Sequence, residues 1–285
     1  MKHRIRLFHT LLTIILIITC TATCLSARPV THSAGETTQP AFPDNPVTPV
    51  FSLSPTADAA PVNVDLSAEI NAAVTHTYGQ SYLGRDLNAY IFNPNGDKTI
   101  LLIFAMHAFE GGSFRDGMAL TACAQQLRTY YTLHPEDLND WRLVLVPCAN
   151  PDGLYEGVNE LYGGAGAFGR CTYDHIDINR DWHSFQAAET RALRDLMNNY
   201  PPDICIDFHG WLDTAIGDPE YAEIFQQELG LSDRLPDQYG STNGYMIGYT
   251  YYTLGARSVL VEFKQQHAAD SSRVCSALRK ILQKR

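Results

Sequence analysis

The chain has 285 residues, which is enough for one large α/β domain or two smaller domains. Its composition, with 45% hydrophobic, 11% aromatic and 18% charged residues, is ordinary for a globular protein. The net charge of −10 and the lack of a basic stripe argue against a nucleic-acid partner, because phosphate binding requires clustered Lys and Arg.

The first 27 residues have the pattern of a signal peptide. A basic start at residues 2–6 precedes an apolar stretch at 7–19, and small residues suited to cleavage follow at 25–27. An uncleaved anchor is the alternative, because residues 7–25 approach the length of a membrane span. We therefore expect a secreted or cell-surface protein that meets a membrane only through this segment, if it is uncleaved.

Residues 28–64 are rich in Pro, Thr, Ser and Ala and are predicted to form an extended linker. Seven of the fifteen prolines lie in this stretch, which cannot bury enough apolar surface to fold. The five cysteines beyond residue 27 share no spacing pattern, and several lie in apolar runs. Most are expected to be buried small hydrophobic residues, and one disulfide remains an alternative.

From residue 65 to residue 285, predicted strands and helices alternate. The strands are predicted at 87–92, 99–106, 142–146, 204–208 and 258–263. The helices are predicted at 114–130, 187–200, 219–228, 245–254 and 270–282. Continuous apolar strands between amphipathic helices predict a single α/β domain. Its central sheet is expected to be mixed, mostly parallel and covered by helices on both faces.

His107 and Glu110 come directly after the predicted strand at 99–106. An imidazole and a carboxylate three residues apart, just past a strand end, can reach one point in space. Both are suitable zinc ligands, and they leave room for a third ligand and a water molecule. Such a short motif is a weak signal by itself.

Further polar residues stand where other buried strands end. Pro147 to Gly153 form a loop fixed by two prolines and an Asp-Gly pair. Glu262 lies inside an apolar strand, where an unpaired carboxylate would be costly, so a metal or a core salt bridge is expected beside it. The remaining members of this set are Arg170, Asp177, Asn179, Arg180, Asp207 and His209.

Together these segments resemble the zinc metallocarboxypeptidases of peptidase family M14, with the carboxypeptidase A-like fold. The resemblance runs from about Tyr78 to Phe263. The matching segments, in chain order, are Tyr82-Leu83-Gly84-Arg85-Asp86-Leu87, His107-x-x-Glu110, Asn150-Pro151-Asp152-Gly153, Asp177-x-Asn179-Arg180, His209 and Glu262. Each segment alone is moderately specific, and their shared order makes the match strong.

The resemblance implies a role for each matching residue. His107, Glu110 and His209 would hold Zn²⁺, and Asp177 would orient His107. Glu262 would be the general base that takes a proton from a zinc-bound water and passes it to the leaving amine.

By the same resemblance, Arg170 would stabilise the oxyanion that develops on the scissile carbonyl. Asn179 and Arg180 would bind the terminal carboxylate of the substrate. Tyr239 is the first candidate for the tyrosine that caps the substrate, and Tyr245 is the second.

The sequence also departs from the family pattern at Asp181, which stands where Asn is usual and could pair with Arg180. We expect a monomeric zinc carboxypeptidase that cleaves the amide bond next to a free carboxylate of a peptide. A second possible substrate on this fold is the γ-D-glutamyl–diaminopimelate bond of a cell-wall peptide. Two different functions stay open as well: an enzyme of the aspartoacylase and succinylglutamate desuccinylase branch, and a non-catalytic domain that binds wall peptides.

Overall fold

The computed structural model describes residues 73–110, 115–158, 167–240, 244–265 and 269–284. All of them belong to one compact unit that spans Asn63–Arg285. The predicted signal peptide and linker lie outside the described residues and stay predictions. Within the described ranges, no helix has the length and apolar character required to cross a membrane.

A mixed sheet of eight strands, in the order β1-β2-β4-β3-β5-β8-β6-β7, forms the centre of the domain. The strands are β1 Val74–Gln80, β2 Asp86–Phe92, β3 Lys98–Phe104, β4 Trp141–Val146, β5 Ile204–Gly210, β6 Thr214–Gly217, β7 Asp233–Pro236 and β8 Arg257–Phe263. The sheet contains a central parallel group, β4-β3-β5-β8, in which each strand runs parallel to the next. The β1–β2, β2–β4 and β6–β8 pairs are antiparallel, whereas β6 and β7 are parallel. The predicted fold class is therefore confirmed.

Helices cover both faces of the sheet. Alternate residues of the central strands point to opposite sides, so the side chains on each side pack against helices. The helices are α1 Gly117–Leu133, α2 Pro151–Tyr155, α3 Ala188–Asn199, α4 Pro219–Leu229, α5 Met246–Tyr252 and α6 Ser271–Leu282. Helices α1, α4 and α6 pack in one apolar core with side chains such as Phe104 and Phe208. Helices α3 and α5 pack in a second core on the other face, with side chains such as Ile103 and Cys205. Burial on both faces accounts for the continuous apolar runs in the sequence.

Strand β3 ends at Phe104, earlier than predicted, and the chain turns sharply there. Ala105 has a φ of 51°, a conformation that a residue with a Cβ rarely adopts. The turn is held from the neighbouring loop, because Ala149 N donates to Phe104 O and Asn150 N donates to Ala105 O. This turn brings residues 106–110 across the carboxyl end of the sheet.

The five cysteines in the described part of the chain are free thiols. Cys123, Cys171, Cys205 and Cys275 are buried, as expected for small hydrophobic side chains, and Cys148 is half-buried. Burial raises the pKa of the Cys123 thiol to about 12. None of the described residues forms the disulfide that the sequence left open.

Candidate active site

Three side chains meet at the carboxyl ends of β3 and β5. Oε1 of Glu110 lies 2.8 Å from His209 Nδ1 and also contacts His107 Nδ1. The possible ligand atoms of the three residues all lie within 4.8 Å of one another. Two imidazole nitrogens and a carboxylate oxygen directed at one point are a donor set that fits zinc.

Each histidine has a carboxylate behind it. His107 Nε2 lies 2.9 Å from Asp177 Oδ1, and His209 Nε2 lies 2.9 Å from Asp207 Oδ2. The His107–Asp177 contact is a hydrogen bond, and a carboxylate there favours a proton on Nε2 and leaves the lone pair of Nδ1 free for a metal. His209 Nε2 forms no aligned hydrogen bond with a described residue. The sequence predicted this position for Asp177 but assigned no role to Asp207.

Glu110 is held from two further directions. Its Oε2 accepts a hydrogen bond from Gly210 N at 2.8 Å, and its backbone N–H donates to Asp116 Oδ2 at 2.8 Å. Burial favours the neutral carboxyl, but His209 and His107 outweigh it and hold the pKa of Glu110 well below its usual range. The carboxylate is therefore ionised and able to bind a cation. Asp116, which precedes α1 and forms no side-chain cap hydrogen bond there, thus holds the backbone of a candidate metal ligand.

Glu262 lies on β8 directly beside His209, since the two residues are paired in the parallel register of β5 and β8. The residue is 7% exposed, and its Oε2 has no hydrogen-bond partner among the described residues. Burial and the nearby charge of Glu110 raise the pKa of Glu262 to about 7. A carboxylate held next to the three ligands, with one oxygen free, can accept a proton from a bound water.

A cavity of about 460 Å³ opens in front of these groups. Its lining residues are His107, Glu110, Arg170, Asn179, Arg180, His209, Gly210, Trp211, Leu212, Ile216, Tyr245, Leu260 and Glu262. The structure thus brings most of the predicted site residues to one cavity. The sequence did not point to Trp211, Leu212, Ile216 or Leu260 as wall residues, and only their closeness to His209 and Glu262 in the chain could have indicated them.

Arg170 enters this cavity beside the candidate metal ligands. Its Nη2 lies 3.3 Å from Asp177 Oδ2, and its Nη1 lies 4.0 Å from Glu110 Oε1. Burial opposes the charged form, but the charges of Asp177 and Glu110 outweigh it and raise the pKa of Arg170. The guanidinium therefore stays a cation within the cleft.

Asn179 and Arg180 lie on a short 3₁₀ turn, Ile178–Arg180. Asp177 caps this turn by accepting a hydrogen bond from Asn179 N at 2.9 Å. Asn179 Oδ1 accepts from Met246 N at 3.0 Å, which fixes the amide group. The Arg180 guanidinium lies 3.8 Å from the centre of the Tyr245 ring and forms no ion pair within the described ranges. Among the described residues, this cation at the border of the cavity has no carboxylate within ion-pair distance, although its charge helps to lower the pKa of Asp177.

Asp181 does not pair with Arg180. Its carboxylate is buried and accepts hydrogen bonds from Ser184 Oγ at 2.7 Å, Gln186 N at 2.9 Å and Ala187 N at 2.8 Å. These contacts hold the segment that enters α3. The hydrogen-bond acceptors of Asp181 are thus used within the local turn, and Arg180 stays available.

Tyr239, the first candidate for the capping tyrosine, is not among the residues that line the cavity. It is 4% exposed, and its ring stacks on Tyr251 with the ring centres 3.8 Å apart. Tyr245, the second candidate, does line the cavity. The geometry therefore places Tyr245, rather than Tyr239, within reach of a bound molecule.

The sequence profile of the family described as zinc carboxypeptidase matches residues 65–270. A curated relative, bacteriocin BCN5 of Clostridium perfringens, is 33% identical over 227 residues, which is 72% of this chain and 24% of that protein. The chain thus spans about a quarter of the length of this relative.

Solved structures share the fold at low sequence identity. A metallo-carboxypeptidase from Burkholderia cenocepacia has a TM-score of 0.54 at 16% identity, covering 74% of this chain and 64% of that one. A carboxypeptidase A from Helicoverpa armigera has a TM-score of 0.57 at 14% identity, with coverage of 75% and 69%. The murein-tripeptide amidase MpaA from Escherichia coli O157 has a TM-score of 0.50 at 21% identity, with coverage of 74% and 92%.

Proposed function

Because the chain belongs to the zinc carboxypeptidase family and is a zinc metallopeptidase by that membership, we propose that it removes the terminal residue of a peptide by hydrolysing the amide bond next to a free carboxylate. The observation that carries this proposal is the environment of Arg180. Its guanidinium borders the cavity without a carboxylate partner among the described residues, while Asn179 beside it is fixed by Met246 N. A planar guanidinium can bind a carboxylate with two parallel hydrogen bonds.

The residues that would hold zinc are His107, Glu110 and His209. When bound, the metal supplies Lewis-acid chemistry, which lowers the pKa of a water to roughly 7 and polarises a carbonyl group. We propose that Glu262 takes the proton of the attacking water and delivers it to the nitrogen of the leaving residue. Its free Oε2 and its position beside His209 support this role.

Arg170 is proposed to stabilise the negative charge that develops on the carbonyl oxygen. Its pairing with Asp177 holds the guanidinium in place and leaves other N–H groups for the substrate. Tyr245 is proposed to contact the bound terminal residue, since its ring lines the cavity and lies under Arg180.

The walls of the cavity favour an uncharged side chain on the terminal residue. Leu212, Ile216 and Leu260 are apolar, and the carboxylates in the lining are those of Glu110 and Glu262. Both of these are assigned to the reaction itself. A basic terminal side chain would therefore find no carboxylate partner in the described lining.

A cell-wall peptide is the second candidate substrate, favoured by the likeness of fold to a murein-tripeptide amidase. Such a substrate also carries a free carboxylate, so the same use of Arg180 serves both candidates. Suitable residues are present at all three candidate ligand positions and at the candidate base position. This favours an enzyme over a domain that only binds wall peptides. Export through residues 1–27 and a monomeric state stay predictions.

Zinc analysis of the purified protein, combined with two substrates, tests the proposal. We expect close to one zinc per chain and chelator-sensitive hydrolysis of a tripeptide with an apolar terminal residue. A murein tripeptide is the parallel substrate, and faster hydrolysis of it would select the second candidate. Full activity in the metal-free protein would overturn both.

A further inference from the structure

We propose that the stacked rings of Tyr82 and Tyr173 form an outer subsite, which binds an aromatic side chain of the substrate peptide on the acyl side of the cleaved bond. This inference rests on the proposed function and adds a sequence preference to it. The proposed function places the terminal residue in the cavity. The residues before it in a longer peptide therefore leave the cavity across its rim.

Three aromatic rings form a connected surface, named here the aromatic platform. The rings of Tyr82 and Tyr173 stack with their centres 5.5 Å apart and their planes at 25°. Phe168 packs edge-on against Tyr173, with the ring centres 5.2 Å apart. Tyr82 is 54% exposed and Tyr173 is 45% exposed. Single exposed tyrosines are common, but rings in contact present a larger apolar face that another flat apolar group can cover.

The platform is joined to the catalytic cavity by the chain itself. Phe168 and Tyr173 flank Arg170 on one tight turn, which is closed by a hydrogen bond of 2.8 Å from Cys171 N to Ala167 O. Arg170 lines the cavity, where it is proposed to contact the scissile carbonyl group. Three residues of chain span at most about 11 Å between Cα atoms. An extended substrate covers that distance with its second to fourth residues, counted from the terminal one.

Two buried carboxyl groups hold the backbone under the ring of Tyr82. Asp152 and Glu189 are both 0% exposed, and neither has a part in the proposed reaction. Glu189 Oε1 accepts a hydrogen bond from Tyr82 N at 2.9 Å. Asp152 accepts from Leu83 N and from Ser81 Oγ, both at 2.8 Å. Buried carboxyl groups are costly without such bonds, so the turn that presents Tyr82 is firmly fixed.

The backbone under Tyr173 is fixed as well. Thr172 is buried, its N–H donates to Ile176 O at 3.0 Å, and its Oγ1 accepts from Ile176 N at 3.1 Å. Asn150 Nδ2 donates to Cys171 O at 3.1 Å. The two stacked tyrosines thus stand on ordered backbone on both sides of their contact. A surface that is already ordered loses little conformational entropy when it binds a partner.

The surroundings of the platform favour an uncharged partner. Arg85, in the same turn as Tyr82, pairs with Asp152 at 2.7 Å and also with Glu156. Its charge is therefore already used within the protein. The exposed ring faces remain, and aromatic rings bind other aromatic rings by stacking or edge contacts. An aromatic side chain of the substrate fits this surface better than a charged one.

The test uses hexapeptides with a free terminal carboxylate and the same apolar terminal residue. They carry either Phe or Ala at the second, third or fourth residue from that terminus. We expect kcat/KM to be about 2- to 12-fold higher for Phe at one of these positions, the range usual for an aromatic pair. The difference should lie mainly in KM, because the contact is the same before and during the reaction.

Tyr173→Ala and Tyr82→Ala should each abolish the preference for Phe and leave hydrolysis of the Ala peptides almost unchanged. Tyr173→Phe should retain the preference, because it keeps the ring. Tyr251→Ala is the matched control, since Tyr251 is an exposed tyrosine on α5 that stacks on Tyr239 at 3.8 Å and is not among the described lining residues. It should keep the preference. Rings that only cover the protein would affect its stability and not its choice of substrate.

Equal kcat/KM for the Phe and Ala peptides in the native protein would overturn the proposal, and so would a preference that survives in both Tyr173→Ala and Tyr82→Ala. A third arm compares a wall peptide with and without its attached sugars. Faster hydrolysis of the sugar-bearing form, lost in Tyr173→Ala and without any preference for Phe, would assign the platform to a glycan instead. No hydrolysis of any of these peptides by the zinc-loaded native protein would refute the proposed function itself, so the two failures are distinguishable.

Discussion

The proposed carboxylate-binding role of Arg180 predicts that the enzyme distinguishes a peptide with a free terminal carboxylate from the same peptide with an amide at that end. Arg180 Nη1 donates to Asn179 O at 2.9 Å, which leaves the other N–H groups of the guanidinium free. The described carboxylates form no ion pair with it. A substrate carboxylate would therefore not have to displace an internal partner.

The expected size of the effect follows from the kind of contact. A hydrogen bond to a charged group contributes about 1.5–3 kcal/mol, and about 1.4 kcal/mol corresponds to a factor of ten. Arg180 is exposed in the structure, so water weakens the contact and the lower end applies. We expect kcat/KM for the free acid to exceed that for the amide by at least about tenfold.

The assay compares the two peptides in the native protein and in Arg180→Ala. The variant should cleave both at similar low rates, because it lacks the group that distinguishes them. Arg191→Ala is the matched control, since Arg191 is an exposed arginine on α3 that donates to Phe185 O and Gln186 O and does not line the cavity. Equal cleavage of both peptides by the native protein would refute the reasoning and would indicate an endopeptidase or another amidohydrolase.

The remaining predictions concern single positions. His209→Ala should lose most bound zinc while its circular dichroism stays native, and full zinc occupancy would remove His209 from the ligand set. Glu262→Gln should keep zinc, and its turnover should fall by at least about a hundredfold, as expected for a general base; loss of the metal would make Glu262 a ligand instead. Asp181→Asn should destabilise the protein by about 1–3 kcal/mol in denaturant unfolding, because one charged acceptor of three hydrogen bonds is neutralised. It should not increase the preference for the free acid, and an increase would mean that Asp181 does pair with Arg180.

The long buried strands could be predicted from sequence, whereas the edge strand β1 and the short strands β6 and β7 could not. Strands β3, β5 and β8 are continuous apolar runs between breaks, so their positions are correct to within two residues. Strand β1 has a half-exposed and mostly polar sequence, so its pairing with β2 leaves no clear periodicity. Strand β6 has four residues, too few for a pattern.

The three candidate metal ligands lie close together in the structure, as the resemblance of the ordered motifs implied. The surroundings of Asp181 could not be predicted, since its partners are backbone N–H groups whose position depends on the turn before α3. The choice between Tyr239 and Tyr245 depends on how the chain runs between β7 and α5. No local pattern encodes that path.

The position of the site on three neighbouring strands also affects the order of events when the chain folds. Glu110 and His209 are separated by 99 residues, and Glu262 reaches them only after β8 has paired with β5. Contacts between distant segments close loops at a cost in chain entropy, so they form late. A zinc ion would find its complete set of ligands only in a chain that is already nearly native. We therefore expect zinc to slow unfolding and to leave the rate of folding almost unchanged.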